Sequence, residues 1–259
     1  MKKCVGFTLI EMIMTMVILG IVAGVVAIFI SRPIEGYIDT ANRAELTDMA
    51  DMALKRMALE IRTAVPNTVR VAADNSWVEF IPARGGGRYC TDTDSCTNPL
   101  THFGTGSAAT VTFDVLGPLP AVSTNDQIII YNTGQTGLSA YGDDNCARVT
   151  ATTASSLTYN DTPFPHASPS SRFFIAPASG PIRFSCSGGQ LRRINGSAAF
   201  CGTTPPSSSA LLVRATTLDC RFQYNQVSAA NGLLTLSLTV GNAGGAVTLM
   251  NQLHVDNLP

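Results

Sequence analysis

Hydrophobic and polar positions divide the chain into three textures. Met12 through Ile30 is an uncharged run of nineteen residues. As a helix it would be about 28 Å long at ~1.5 Å per residue, close to the hydrocarbon thickness of a bilayer. Beyond it the apolar positions thin to a stripe. Ile38, Ala41, Leu46, Met49, Ala53, Met57, Ile61 and Ala64 recur at threes and fours, with a gap at Glu45. Asp39, Arg43, Asp48, Asp51, Lys55 and Arg62 take the wetter side, and Asp51 and Lys55 stand one turn apart, spaced for an ion pair. The methionines of the stripe read as core filler. Pro33 lies between the two halves and should bend the helix by removing a backbone donor. Val65-Pro66-Asn67 should end it.

After Pro66 the period falls to two. Short β-branched and aromatic runs alternate with Gly, Ser, Pro and Asn clusters. The pattern predicts strands at 68–72, 77–81, 110–116, 127–131, 148–152, 172–175, 182–186, 190–194, 211–215, 221–224, 233–240 and 247–255. Ser187-Gly188-Gly189-Gln190 reads as a tight hairpin turn. No second long helix and no fixed-period repeat emerges. Roughly 190 residues suffice for one β-rich core. The expected fold class is α+β, with the stripe from Ile34 to Val65 laid on a β-sheet head.

Charge sharpens the reading of the first segment. Lys2 and Lys3 precede the apolar run and Arg32 follows it, which favours a cytoplasmic amino terminus. Glu11 sits at the head of the run. A carboxylate at the centre of a membrane helix costs roughly 2.5–3.5 kcal/mol, and a buried one is tolerable only when paired. The plainer alternative is a carboxylate that snorkels to the membrane edge. A removable secretory signal fits poorly, because no small-residue cleavage site follows Ile30. A lipoprotein anchor fails because Cys4 precedes the run. Gly20 and Gly24 form a small-xxx-small pair, which reads either as a helix contact or as ordinary membrane-helix glycine.

Gly6-Phe7-Thr8-Leu9-Ile10-Glu11 after a short basic leader resembles the class III signal of type IV pilins and type II secretion pseudopilins. The resemblance implies a leader at 1–6, a transmembrane helix at 7–31, an amphipathic periplasmic half at 32–66 and a head at 67–259. It implies cleavage between Gly6 and Phe7 by a prepilin peptidase, and methylation of Phe7. It gives Glu11 a role: facing the amino-terminal ammonium of a neighbouring subunit, so that the membrane penalty drives docking in register. The large head resembles those of minor subunits. Arg32-Pro33-Ile34-Glu35-Gly36-Tyr37 and the ending His254-Val255-Asp256-Asn257-Leu258-Pro259 are similar to the MSHA biogenesis protein O group of minor pilin-like proteins.

Seven cysteines occur. Cys4 falls in the expected leader. Cys90, Cys96, Cys146, Cys186, Cys201 and Cys220 form an even set, which suggests disulfides in a periplasmic head. Sequence proximity favours Cys90 with Cys96 and Cys186 with Cys201, leaving Cys146 with Cys220. A zinc site is disfavoured: no C-x2-C pair occurs, and His102, His166 and His254 keep no ligand spacing. Asp92 and Asp94 inside the Cys90–Cys96 loop, like Asp143 and Asp144, read as solvated turn residues rather than a calcium loop. Arg84-Gly85-Gly86-Gly87-Arg88 reads as a flexible loop, since it lacks the lysine and hydroxyl of a phosphate loop. No G-x-S-x-G turn supports a serine nucleophile. Trp77 reads as core rather than a sugar platform. Residues 67–259 carry ten arginines, no lysine and eleven acidic residues, so no overall charge favours nucleic acid.

The expectation is a non-enzymatic, single-pass inner-membrane subunit with a periplasmic head and no cofactor. Its partners would be other pilins, the prepilin peptidase and the assembly platform, with a place in a short assembly complex or at the tip of a pilus after assembly. The rivals are a type II secretion pseudopilin, and an adhesin-like ligand-binding module delivered by its anchor. A tethered periplasmic enzyme is a third, weaker reading.

Overall fold

The computed structural model describes residues 6–104, 108–161, 164–228 and 230–259; Lys2, Lys3 and Cys4 lie outside them, as do the side chains of Arg32 and Pro33. α1 spans Leu9–Ile61 and is one unbroken helix through Pro33. The two halves expected on either side of that proline therefore form a single element. Asp51 and Lys55 make the expected pair, at 2.7 Å. The helix ends one turn earlier than Val65-Pro66 would place it. Val65 N–H donates to Ile81 at 2.8 Å and Ala83 N–H to Thr63 at 2.7 Å, so the backbone is already paired as an extended chain there.

The remainder is strand-rich, which makes the whole α+β. β1 (Arg70–Val71), β2 (Trp77–Phe80), β9 (Ile182–Ser187), β10 (Gln190–Asn195) and β11 (Ser208–Arg214) form a five-stranded sheet in that order. β12 (Thr217–Gln226), β13 (Asn231–Asn242) and β14 (Gly245–Asp256) form an antiparallel meander. Gln190 pairs with Ser187, so Gly188 and Gly189, at φ 56° and 71°, make the two-residue turn expected from their sequence. Both sheets turn apolar faces toward one stripe of α1. Leu46, Ala50, Ala53, Leu54, Met57, Ala58 and Ile61 are buried against Phe80, Phe184, Phe222, the even-numbered apolar residues Leu234–Val240 of β13, and Leu253 and Val255. Packing starts at Leu46. Ile38 and Ala41, expected to belong to the stripe, are exposed because no strand reaches them.

One β-rich core is expected for the whole head, and the six strands between β2 and β9 instead enclose their own. β3 (Gly85–Tyr89), β4 (Ala108–Leu116), β5 (Gln127–Ile129), β6 (Cys146–Thr152), β7 (Ser156–Asp161) and β8 (Arg172–Ala176) close a barrel in the order β3-β4-β7-β6-β5-β8. Its interior is a separate cluster around Phe113, whose ring meets those of Phe173 at 5.7 Å and Tyr159 at 6.2 Å. The barrel is thus an insertion between two strands that pair with each other, Phe80 opposite Ile182. Arg84–Arg88, expected as a flexible loop, belongs mostly to β3. A Cβ on Gly87 would stand 2.9 Å from the Phe173 ring, so only glycine lets this stave close against β8.

Three disulfides tie the pieces together. Cys90–Cys96 pairs as expected. The other two pairings expected from proximity are corrected: Cys146 bonds Cys201 and Cys186 bonds Cys220. The reason is register. Cys186 lies opposite Leu191 near the hairpin turn, whereas Cys201 lies past the far end of β10 and docks its N–H on Ala140, beside Cys146. Cys146–Cys201 therefore joins barrel to sheet, and Cys186–Cys220 joins the two sheets. A third, smaller cluster of Val65, Ile81, Ile129, Ala140, Ala176 and Phe200 fills the seam between barrel and sheet.

Candidate functional site

The start of α1 is built by its own sequence. Thr8 is the N-cap in an extended conformation, and its hydroxyl accepts the Glu11 N–H at 3.3 Å. Thr8 and Glu11 stand in the S/T-x-x-E spacing of a capping box, a sequence signal that marks the helix start on its own. A carboxylate in the first turn also faces the positive end of the helix dipole. The described residues from Gly6 to Glu45 gain almost nothing from the head. Phe7 is 79% exposed and Phe29 80%. The described apolar side chains from Leu9 to Ile30 are all exposed, and among the described residues of the helix the first buried one is Leu46. From Leu9 to Glu45 the projecting part is about 55 Å long at ~1.5 Å per residue.

Length and composition make α1 the one helix among the described residues able to cross a bilayer. Among the described residues no basic group lies within 4 Å of Glu11. Gly20 and Gly24 have open space where a Cβ would stand. No other described part of the chain approaches them there.

The head positions its chemistry-bearing residues for structure. Glu79 lies mid-strand, where the sequence gives no sign of a site, and in the fold it is fully buried. It is directly opposed by Arg70 on β1 and Arg183 on β9. Arg70 Nε donates at 2.6 Å and Arg183 Nε at 3.0 Å, and Ser197 adds a hydroxyl. The arginines stack on aromatic rings, Arg70 on Tyr141 at 3.7 Å and Arg183 on Trp77 at 4.2 Å. Trp77, expected in the core, is thus half-buried under a guanidinium. Tyr141 donates its hydroxyl to Thr68 at 3.0 Å, and burial first, then the Glu79 carboxylate, pushes its phenol well above the ordinary value.

The other acidic candidates are turn residues with local partners. Asp94 accepts the Thr91 N–H at 2.9 Å and its hydroxyl at 2.7 Å, and these hydrogen bonds hold its carboxyl below the ordinary range. Asp144 accepts the Gly137 N–H at 3.1 Å. Asp92 and Asp143 flank them without joining a cluster, and among the described residues no three His, Cys, Asp or Glu side chains are arranged to hold a metal. The histidines fall apart. His254 is exposed on β14, His166 rests its ring edge-on to Tyr131 at 6.4 Å, and His102 lies beside the barrel with a buried Nε2.

Comparison with protein families matches residues 1–27 to the prokaryotic N-terminal methylation motif. Neither curated proteins nor solved structures yield a match to the chain. The match covers Gly6, Phe7, Glu11, Gly20 and Gly24. The motif supports a type IV pilin-like or pseudopilin-like precursor, a class for which it implies processing by prepilin peptidase and assembly with other pilins, and the single apolar helix fits membrane anchoring.

Proposed function

We propose that this precursor matures into a non-enzymatic minor pilin-like subunit, cut between Gly6 and Phe7 and methylated on Phe7. It waits in the inner membrane with its head in the periplasm. The observation that carries the reading is the helix: some 55 Å of it at ~1.5 Å per residue projects with every described apolar side chain exposed. That surface needs lipid first and neighbouring helices afterwards. Moving it from one to the other gains no apolar burial, because lipid is as apolar as leucine. The direction must come from polar pairing, and Glu11 is the single ionisable residue between Phe7 and Ile30. Its carboxylate would leave the membrane's edge to meet the ammonium that cleavage creates on a neighbour.

The finer assignment, to the assembly machinery of an MSHA-type pilus, rests on the sequence around Arg32–Tyr37 and the ending His254–Pro259. A type II secretion pseudopilin uses the same physics, and an adhesin-like tip module would add a ligand to it. One experiment separates capping from charge. Glu11→Gln keeps a side chain that completes a capping box but removes the charge, whereas Glu11→Leu removes both. Both variants are expected to insert and be processed, giving an intact mass that begins at N-methylated Phe7, and both should fail to enter fibres. Normal assembly of Glu11→Gln would remove charge pairing from the mechanism; a mature mass retaining Met1 would remove the processing step.

A further inference from the structure

A groove of about 760 Å³ runs where the end of α1, β3, the start of β8 and the chain's last residues meet. Four arginines line it: Arg62, Arg84, Arg88 and Arg172; Asp256 is the single carboxylate in the lining. Arg62, Arg88 and Arg172 are exposed. Arg84 leans on the buried Asp126 at 3.5 Å, and Arg88 Nε donates to the Ser170 carbonyl at 3.3 Å. Among the described residues Arg62, Arg88 and Arg172 have no ion pair within 4 Å.

The register makes this arrangement costly. Arg88 on β3 lies directly opposite Arg172 on β8. Like charges at opposed positions destabilise a sheet. The same chain solves the problem elsewhere, where Glu79 stands between Arg70 and Arg183. In the groove no carboxylate stands between Arg88 and Arg172 in the sheet: Asp256 lies elsewhere in the lining, and Asp94 acts on Arg88 only from beyond 4 Å. The floor beside the pair is equally particular. Gly86 lies opposite Phe174 on the same outward face, and the Phe174 ring packs over it, 3.2 Å from where a Cβ would stand. The result is a flat strip of backbone and a half-buried aromatic plane next to paired guanidinium forks.

We propose that this groove binds a short acidic oligosaccharide, its carboxylates held by Arg88, Arg172 and Arg62 and a sugar face laid on Phe174. Guanidinium forks match carboxylates bidentately. The volume lies within the roughly 300–1,000 Å³ of small-ligand sites. A nucleic acid is disfavoured by the head as a whole, whose arginines are outnumbered by acidic residues and joined by no lysine. The inference needs only the folded head and stands apart from the assembly reading.

The test is calorimetric titration of the full mature chain in detergent micelles with trigalacturonate, maltotriose, inorganic phosphate and an oligothymidylate. Trigalacturonate is expected to bind, with maltotriose and phosphate each at least about tenfold weaker. Arg88→Gln, Arg172→Gln and Arg62→Gln should each weaken it by about tenfold, and Arg221→Gln, on β12, should leave it unchanged. The thermal midpoint of unliganded Arg172→Gln should equal or exceed that of the parent, since a like-charge pair is relieved. Absence of trigalacturonate binding, equal binding of maltotriose, indifference to the groove arginines, or a lowered midpoint would overturn the proposal. Tighter binding of the oligothymidylate would overturn the sugar assignment.

Discussion

At the scale of single residues, Glu79 shows how the head uses its charges. It is fully buried, while its arginine partners keep 42% and 27% of their side-chain surface. Breaking such a buried pair typically costs roughly 3–5 kcal/mol, because the remaining charge is left uncompensated. Both arginines retain water, so Glu79→Gln should fall at the lower end of that range, about 3 kcal/mol. Equilibrium denaturation in urea measures it, and a loss below about 1 kcal/mol would mean that water replaces the carboxylate. The network also explains why sequence pattern does not reveal it. Glu79 interrupts an apolar run in β2 as a polar residue on a solvent face would. Nothing in the sequence says that Tyr141 and Ser197, sixty and more residues away, cover that face.

At the scale of elements, the helix carries two instructions in one continuous rod. Its second half is legible as a stripe, because the period of three and four survives in the buried set from Leu46 to Ile61. Its reach is not legible, because burial begins where β13 and β14 end and not where the periodicity begins. Met57 is 1% exposed and Met52 66%. Met57→Ala should therefore cost about 2–5 kcal/mol through lost contacts and a residual cavity, while Met52→Ala should stay within about 0.5 kcal/mol. A thermal or chemical melt of the two variants decides it; equal effects would misplace the buried face. All twelve strands expected from alternation exist, with β-branched and aromatic residues marking them. The two strands outside that expectation differ in how far they can be read. β7 is marked by little more than the alternation of Leu157 and Tyr159 among polar residues. β3 begins with three glycines and has almost no side chains from which to read a period. Both are staves of the barrel, so its closure is hidden with them.

At the scale of the whole molecule, barrel and sheet have separate cores joined by one disulfide, the apolar seam around Val65 and Phe200, and several polar links. Asn67 Nδ2 donates to the Asn132 carbonyl at 2.8 Å, and Cys146–Cys201 closes a 55-residue separation. Chain-entropy reasoning gives that bond about 4 kcal/mol. Replacing both cysteines with serine should lower stability by that order, with hydrogen exchange rising first at the Val65–Phe200 seam while the barrel interior stays protected. Uniform loss of protection would mean that barrel and sheet fold as one cooperative body. Disulfide connectivity is beyond the sequence for the same reason as the seam: Cys146 and Cys201 meet only after the barrel has folded back on β10.

The insertion of the barrel between β2 and β9 has a mechanical consequence. Those strands pair antiparallel, so the barrel leaves and re-enters the sheet at neighbouring points, about 4.8 Å apart. In a fibre built through α1, tension would pass from one rod to the next. The barrel would hang to the side on its two adjacent tethers and the Cys146–Cys201 bond, bearing no load while the shaft stretches. Optical-tweezer extension of such a fibre should give the same stiffness before and after the barrel's tethers are cut by protease, and a softer fibre after cutting would mean that the pendant takes part of the strain.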